Sequence, residues 1–225
     1  MNIILCGPPG AGKGTQAGYI VKNFNLYKVS TGDLLRDEIK NNTDLGNKIK
    51  SKLDQGLLVS DDIINNLIVK ILSDKKYYNR LIFDGYPRNL NQTKSLDLLV
   101  KKYNQKISCV LSLNVDKESI VKRILGRLVC TKCGLTFNKY FNPPQKENYN
   151  CNLIYLKTRT DDNEKTIKNR FDTYTKKTVS IINYYIEQKI LHEIDGTREI
   201  NRIYDEIRSI IATLETWLCK LHLYK

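Results

Sequence analysis

Asn2-Ile3-Ile4-Leu5-Cys6-Gly7-Pro8-Pro9-Gly10-Ala11-Gly12-Lys13-Gly14-Thr15 is the stretch whose reading decides the fold. A short apolar run passes into a Gly/Pro-rich loop, and a helical pattern over Lys13–Asn23 follows at once. Counted from Gly7 the spacing is G-x-x-x-x-G-K, with Gly14 where Ser or Thr is usual and Thr15 one place later. Glycines let the backbone wrap its N–H groups around phosphate oxygens, and the helix N-terminus behind them favours negative charge. Gly10, Ala11, Gly12 and Gly14 therefore read as the phosphate cradle. Lys13 reads as the point charge for terminal phosphates and Thr15 as the hydroxyl nearest a bound Mg²⁺. A plain Gly-rich turn is the bland alternative; the strand before and the helix after argue against it.

Outward from this loop, short apolar runs at Asn2–Cys6, Tyr27–Val29, Leu81–Asp84, Cys109–Val115 and Ile190–Asp195 read as strands. Helical patterns lie between them near Lys13–Asn23, Asp61–Ser73, Asn89–Tyr103, Asp116–Leu125 and Asp161–Glu187. Such alternation predicts α/β architecture, a doubly wound five-stranded parallel sheet with helices on both faces. Two excursions interrupt it: a polar helical one over 30–59 and a loop-rich one over 127–160, which holds Cys-x-x-Cys and Pro143-Pro144. The remaining segments, 1–29, 60–126 and 161–225, form the expected core. Asp84 closes an apolar strand, where a P-loop fold places an acid to hold Mg²⁺ or its waters.

Composition narrows the class less than the loop does. The chain has 225 residues, 41% hydrophobic and 27% charged, which suits a folded domain with room for insertions. No apolar run reaches the roughly 18–20 residues of a membrane span. The first residues lack a basic region and a small-residue cleavage site, so a cytoplasmic protein without membrane contact is expected. The net charge of +13 is spread among Asn and Ile residues without a dense basic tract. A nucleic-acid binder would need a basic face with stacking aromatics and would leave the phosphate loop unexplained, so no nucleic-acid partner is expected. Six cysteines in such a chain argue against a disulfide framework. Cys6 and Cys109 sit in apolar runs and read as buried, inert thiols.

With Gly7–Thr15, the segments Ser30-Thr31-Gly32-Asp33-Leu34-Leu35-Arg36 and Asp84-Gly85-Tyr86-Pro87-Arg88 form an ordered set. Gly126-Arg127, Phe141-Asn142-Pro143-Pro144 and Arg159-Thr160-Asp161-Asp162 continue it. In this order they resemble adenylate kinases of the bacterial, long-lid type, from Met1 to about Ile210. The resemblance implies transfer of a phosphoryl group from Mg·ATP to AMP, giving ADP, by a monomer. The excursion 30–59 would then bind AMP and 127–160 would be the lid. Thr31, Arg36, Leu57, Leu58, Val59, Gly85, Tyr86, Pro87, Arg88 and Gln92 match acceptor positions. Arg123, Arg127, Arg159 and Arg170 match the arginines that close over the nucleotides. Of these, Arg123 and Arg127 fall to the ATP side, Arg159 and Arg170 to the AMP side. Lys13, Arg88, Arg127, Arg159 and Arg170 would carry the catalysis. Arg198 matches a position near the ATP adenine. Other donor or acceptor choices, GTP, UMP or CMP, remain open to a relative with the same loop.

Cys130, Cys133 and Cys151 resemble the zinc-bearing lid of some members of that family. The place of a fourth ligand, three residues after the third cysteine, holds Ile154. A three-thiolate zinc site and a metal-free lid are both open on this reading. Leu214, Trp217, Leu218 and Leu221 recur at helical spacing and predict a last helix packed on the core.

Overall fold

A computed structural model describes residues 1–147 and 149–223, with side-chain surroundings described through residue 216. In chain order the core begins with β1 (Asn2–Cys6), α1 (Lys13–Phe24) and β2 (Tyr27–Ser30). The first excursion is α2 (Thr31–Lys40) and α3 (Asp44–Asp54), followed by α4 (Asp61–Ser73) and β3 (Leu81–Asp84). Next come α5 (Leu90–Lys102), β4 (Ile107–Asn114) and α6 (Lys117–Leu125). Three short strands, β5 (Arg127–Cys130), β6 (Thr136–Asn138) and β7 (Leu156–Lys157), make the second excursion. The chain ends in α7 (Glu164–Thr173), α8 (Val179–Glu187), β8 (Leu191–Asp195) and α9 (Ile200–Leu223).

The main sheet is five-stranded in the order β2-β3-β1-β4-β8, and every neighbouring pair is parallel. Side chains alternate between its faces, as the pleat requires. Ile4 and Cys6 join a cluster with Ile68 of α4, Leu96 of α5 and Ile181 of α8. Ile3 and Leu5 join the opposite cluster with Ala17 and Ile20 of α1 and Ile203, Ile207 and Ile211 of α9. All five β1 residues are buried, which explains the apolar run Ile3–Cys6, while the buried amide of Asn2 is bonded to Gln105 and to the N–H of Leu81. Both Cys6 and Cys109 lie inside, and burial pushes each thiol up to about 12, as expected of inert cysteines. Strand order reverses at β1, between β3 and β4, so a crevice opens at the carboxyl ends of these strands. The pairing of Leu5 with Asp84 places that acid beside the loop leaving β1.

The excursions differ in kind. Helices α2 and α3 approach so closely that a Cβ on Gly46 would stand 2.2 Å from the carbonyl oxygen of Glu38. Ser30 caps α2 through the N–H of Asp33, and Thr43 caps α3 through that of Gly46. Strands β6-β5-β7 form a separate antiparallel sheet with a small core of Cys130, Phe137 and Tyr149.

One predicted element differs. The helical pattern over Asp161–Glu187 is not one helix: Asp161 and Asp162 precede it, and a π-helical turn at Tyr174–Thr178 separates α7 from α8. Asn163 caps α7 by accepting from Thr166, which frees both aspartates to face arginines. Thr178, at the end of the π turn, donates to the backbone oxygen of Arg88 at 2.9 Å. The terminal helix runs on to Leu223, with Leu214 packed against the α1/α9 cluster; Trp217, Leu218 and Leu221 lie beyond the described side chains.

Candidate active site

The loop after β1 is built on left-handed backbone that glycine adopts freely: φ is +135° at Gly7, +82° at Gly10 and +94° at Gly12. A Cβ at Gly10 would meet Ile124 at 2.7 Å, so that position also sets the packing of α6 on the loop. Lys13 folds back over the loop and donates to the carbonyl oxygens of Gly7 and Pro8, both at 2.7 Å. Desolvation brings its ammonium down to about 8; Asp84 opposes the shift while Arg88 and Arg170 add to it. Asp84 Oδ2 stands 3.6 Å from where a Cβ on Gly14 would be, an ordinary contact distance that places the carboxylate beside the start of α1. Thr15 follows in the first turn of α1, half-buried. Asp84 is also held by Lys28 at 3.9 Å.

Next to Asp84 the chain turns sharply at Gly85, whose φ is +75°. The Gly85 carbonyl accepts from Thr31 Oγ1 at 2.9 Å and from Arg88 Nε at 2.6 Å, so one oxygen ties the start of α2 to the arginine. Thr31, Leu57, Leu58, Val59, Gly85, Tyr86, Arg88 and Gln92 line one cavity. These are acceptor positions matched in the sequence; Pro87, buried, lies between two of them. The backbone N–H of Arg88 donates to Gln92 Oε1 at 2.7 Å.

Around this cavity and the loop stand the arginines. Desolvation, with the neighbouring Arg170 adding to it, lowers Arg88 to about 10. Arg127 likewise falls to about 10 through desolvation, with Arg159 and Arg170 adding to the shift. Arg159 is lowered by burial and then by Arg36. Like charges gathered in a half-buried cleft repel one another, and the arrangement is natural where a polyanion binds. Acids hold the guanidinium groups in place. Asp161 meets Arg170 at 3.0 Å, Asp162 meets Arg127 at 3.4 Å, and Asp33 meets Arg36 at 2.5 Å and Arg159 at 3.8 Å. Burial pushes Asp162 up, whereas the pull of Lys28 and Arg36 on Asp33 outweighs burial and leaves its carboxyl well below the usual range. Asp33, Asp161 and Asp162 have no role of their own in the sequence reading, although all three sit in its quoted motifs, Ser30–Arg36 and Arg159–Asp162. Acids in turns ordinarily read as caps; only the folded chain shows which arginine each one meets.

Arg123 lies over the ring of Phe141 at 5.7 Å and reaches the carbonyl of Ala11 at 3.5 Å, joining the second excursion to the phosphate loop. Arg198 stands apart from the arginine cluster, exposed and paired with Asp195 and Glu206. In the small sheet, the sulfurs of Cys130, Cys133 and Cys151 lie within 4.8 Å of one another. Burial pushes Cys130 up, but hydrogen bonds from Tyr149 and from the N–H groups of Cys133 and Lys132 outweigh it and bring the thiol down to about 6. Ile154, at the place of a fourth ligand, is exposed. No further His, Cys, Asp or Glu joins the three cysteines among the described residues.

A strand-loop-helix phosphate cradle, a strand-end acid and converging arginines on a parallel sheet define a P-loop phosphotransferase that acts on nucleotides. The family model described as adenylate kinase matches residues 5–190. The adenylate kinase of Pelagibacter ubique (strain HTCC1062) is 47% identical over 211 residues, covering 94% of this chain and 99% of that protein. Those of Methanosarcina barkeri (strain Fusaro / DSM 804) and Enterococcus faecalis (strain ATCC 700802 / V583) are 40% and 39% identical, each over 94% of this chain and 98% and 99% of their own length. The chain belongs to the adenylate kinase family and is a nucleoside monophosphate kinase. No described helix is long and apolar enough to cross a membrane.

Proposed function

We propose that the protein transfers the terminal phosphoryl group of Mg·ATP to AMP, giving two ADP. The observation that carries this reading is Arg88, which lines the acceptor cavity with Thr31 and Gln92 and is held by its Nε on the carbonyl of Gly85, next to the Asp84 that pairs with Leu5 at the phosphate loop. Two nucleotides bound there would meet phosphate to phosphate across one arginine. Phosphoryl transfer asks for in-line positioning and positive charge along the path of the migrating group rather than for a protein nucleophile. Lys13 and the N–H groups of Gly10–Thr15 would hold the donor phosphates, with Arg123 and Arg127 above them. Arg36, Arg88, Arg159 and Arg170 would hold the acceptor phosphate and the group in flight. Arg198 would lie at the donor base. Asp84 and Thr15 would hold Mg²⁺, mostly through its waters, and the ion would neutralise charge on the donor phosphates.

The working division of the chain is a core of 1–29, 60–126 and 161–225, an acceptor insertion of 30–59 and a lid of 127–160. The separate sheet and core of the second insertion support a unit able to move as a body. Arg127 and Arg159 flank it, so closure would bring both to the phosphates and exclude water, which would otherwise take the phosphoryl group. The resemblance to the family supports action as a monomer. Measured with ATP or GTP as donor and AMP, UMP or CMP as acceptor, turnover is expected to be fastest for ATP with AMP. Equal rates with GTP would defeat the donor assignment.

The three lid thiols suit a soft ion such as zinc, with a water or oxygen donor at the fourth corner. Such an ion would stabilise the lid and take no part in transfer. Protein purified without chelator is expected to carry one zinc per chain by mass spectrometry. Cys133→Ser is expected to lose it and lower Tm by about 5–10 °C. Wild-type protein with no zinc and the same Tm as the variant would show that the lid folds without metal.

A further inference from the structure

The amide of Gln92 is fixed from two sides. Its Oε1 accepts the N–H of Arg88 at 2.7 Å, and its Nε2 donates to Asp61 Oδ1 at 2.7 Å. A backbone N–H can only donate and a carboxylate can only accept, so these partners assign the two ends of the amide. Turned half a revolution, Nε2 would face the N–H and Oε1 the carboxylate. Gln92 is 2% exposed, so water offers the amide no escape from those contacts. Asn89 reinforces the arrangement: its Nδ2 donates to Asp61 Oδ1 at 3.0 Å, and its Oδ1 accepts the N–H of Gln92 at 2.8 Å. Asp61 is not among the residues lining the acceptor cavity; with Ser60 and Lys177 it lines an adjoining surface depression that shares Leu58 and Val59 with that cavity.

Each end of the amide keeps one unused capacity, a second lone pair on Oε1 and a second hydrogen on Nε2. Together they accept from an exocyclic amino group and donate to a ring nitrogen beside it, which is the edge adenine offers. A 6-oxopurine offers the reverse, a carbonyl and an N–H. We propose that Asp61 is a positioning residue that sets base choice at the acceptor site, by holding Gln92 in the orientation that takes adenine and rejects 6-oxopurines. The inference rests on Gln92 being the contact to the acceptor base.

The test compares kcat/KM for AMP and for inosine monophosphate, with Mg·ATP as donor, in wild type, Asp61→Ala, Asp61→Asn and Gln92→Ala. Asp61→Ala is expected to lower the AMP-over-IMP ratio about 10-fold or more, because the Asp61 restraint on the amide is lost. The loss should appear mainly in KM for the acceptor, with KM for Mg·ATP little moved. Asp61→Asn keeps an oxygen able to accept from Gln92 and is expected to keep most of the discrimination. Asp61→Leu replaces the alanine variant if that variant does not fold. An unchanged ratio in Asp61→Ala with a collapsed ratio in Gln92→Ala would overturn the role of Asp61 and leave the base contact standing. An unchanged ratio in both would remove the base contact, and the inference with it. Equal loss in Asp61→Asn and Asp61→Ala would also contradict it, since the asparagine retains an acceptor.

Discussion

Lys13→Met will lower kcat by about 1,000-fold while leaving the fold intact, the loss usual for removing a preorganised group aimed at developing charge. The lysine is half-buried and already bonded to the carbonyls of Gly7 and Pro8, so its position is set before substrate arrives. A methionine fills the same space without charge, and circular dichroism with thermal unfolding will show whether the fold persists. Desolvation has brought the ammonium to about 8 in the free protein. Its charge is therefore present below that pH and lost above it. In wild type, kcat/KM for Mg·ATP should fall as pH rises through 8, because that ratio reports groups of the free enzyme. The variant should lack this alkaline limb. A variant that turns over within a few-fold of wild type would remove Lys13 from the chemistry.

Arg88→Ala is expected to cost about 100- to 1,000-fold in kcat/KM for AMP, and Arg88→Lys nearly as much. A lysine keeps the charge but loses the planar fork, and the fork is what the structure prepares. Arg88 Nε is bound to the Gly85 carbonyl, and the Arg88 carbonyl accepts from Thr178, so the guanidinium is aimed from both ends. Its place among other arginines means that the free protein carries repulsion which a bound phosphate relieves. Initial-rate measurements at varied AMP and fixed Mg·ATP will decide the matter. Full activity in the lysine variant would reduce Arg88 to a generic positive charge.

What could be read from the sequence was whatever the local backbone demands. The β1 loop needs glycines at set intervals, and buried parallel strands need continuous apolar runs, so both leave marks in the residue order. The fit of Thr31, Gly85 and Arg88 into one cavity could be expected from the ordered resemblance. Pairings made across the fold left no such mark. Asp161 and Asp162 look like the start of a helix and turn out to hold Arg170 and Arg127. Thr178, at the end of the π turn that divides a run reading as one helix, bonds to the carbonyl of Arg88 on another element, a pairing no helical pattern displays. Asp61 likewise reads as an acid in the first turn of α4, and only its distance to Gln92 gives it a further meaning.

The central claim is that the cavity beside the phosphate loop is built for AMP and that its product is ADP. With Mg·ATP held constant, initial rates with AMP, UMP and CMP test it most directly. A kcat/KM for AMP at least about 100-fold above that for either pyrimidine is expected, given a site that hydrogen-bonds its base, with two ADP formed for each AMP consumed. UMP or CMP phosphorylated as fast as AMP would contradict it.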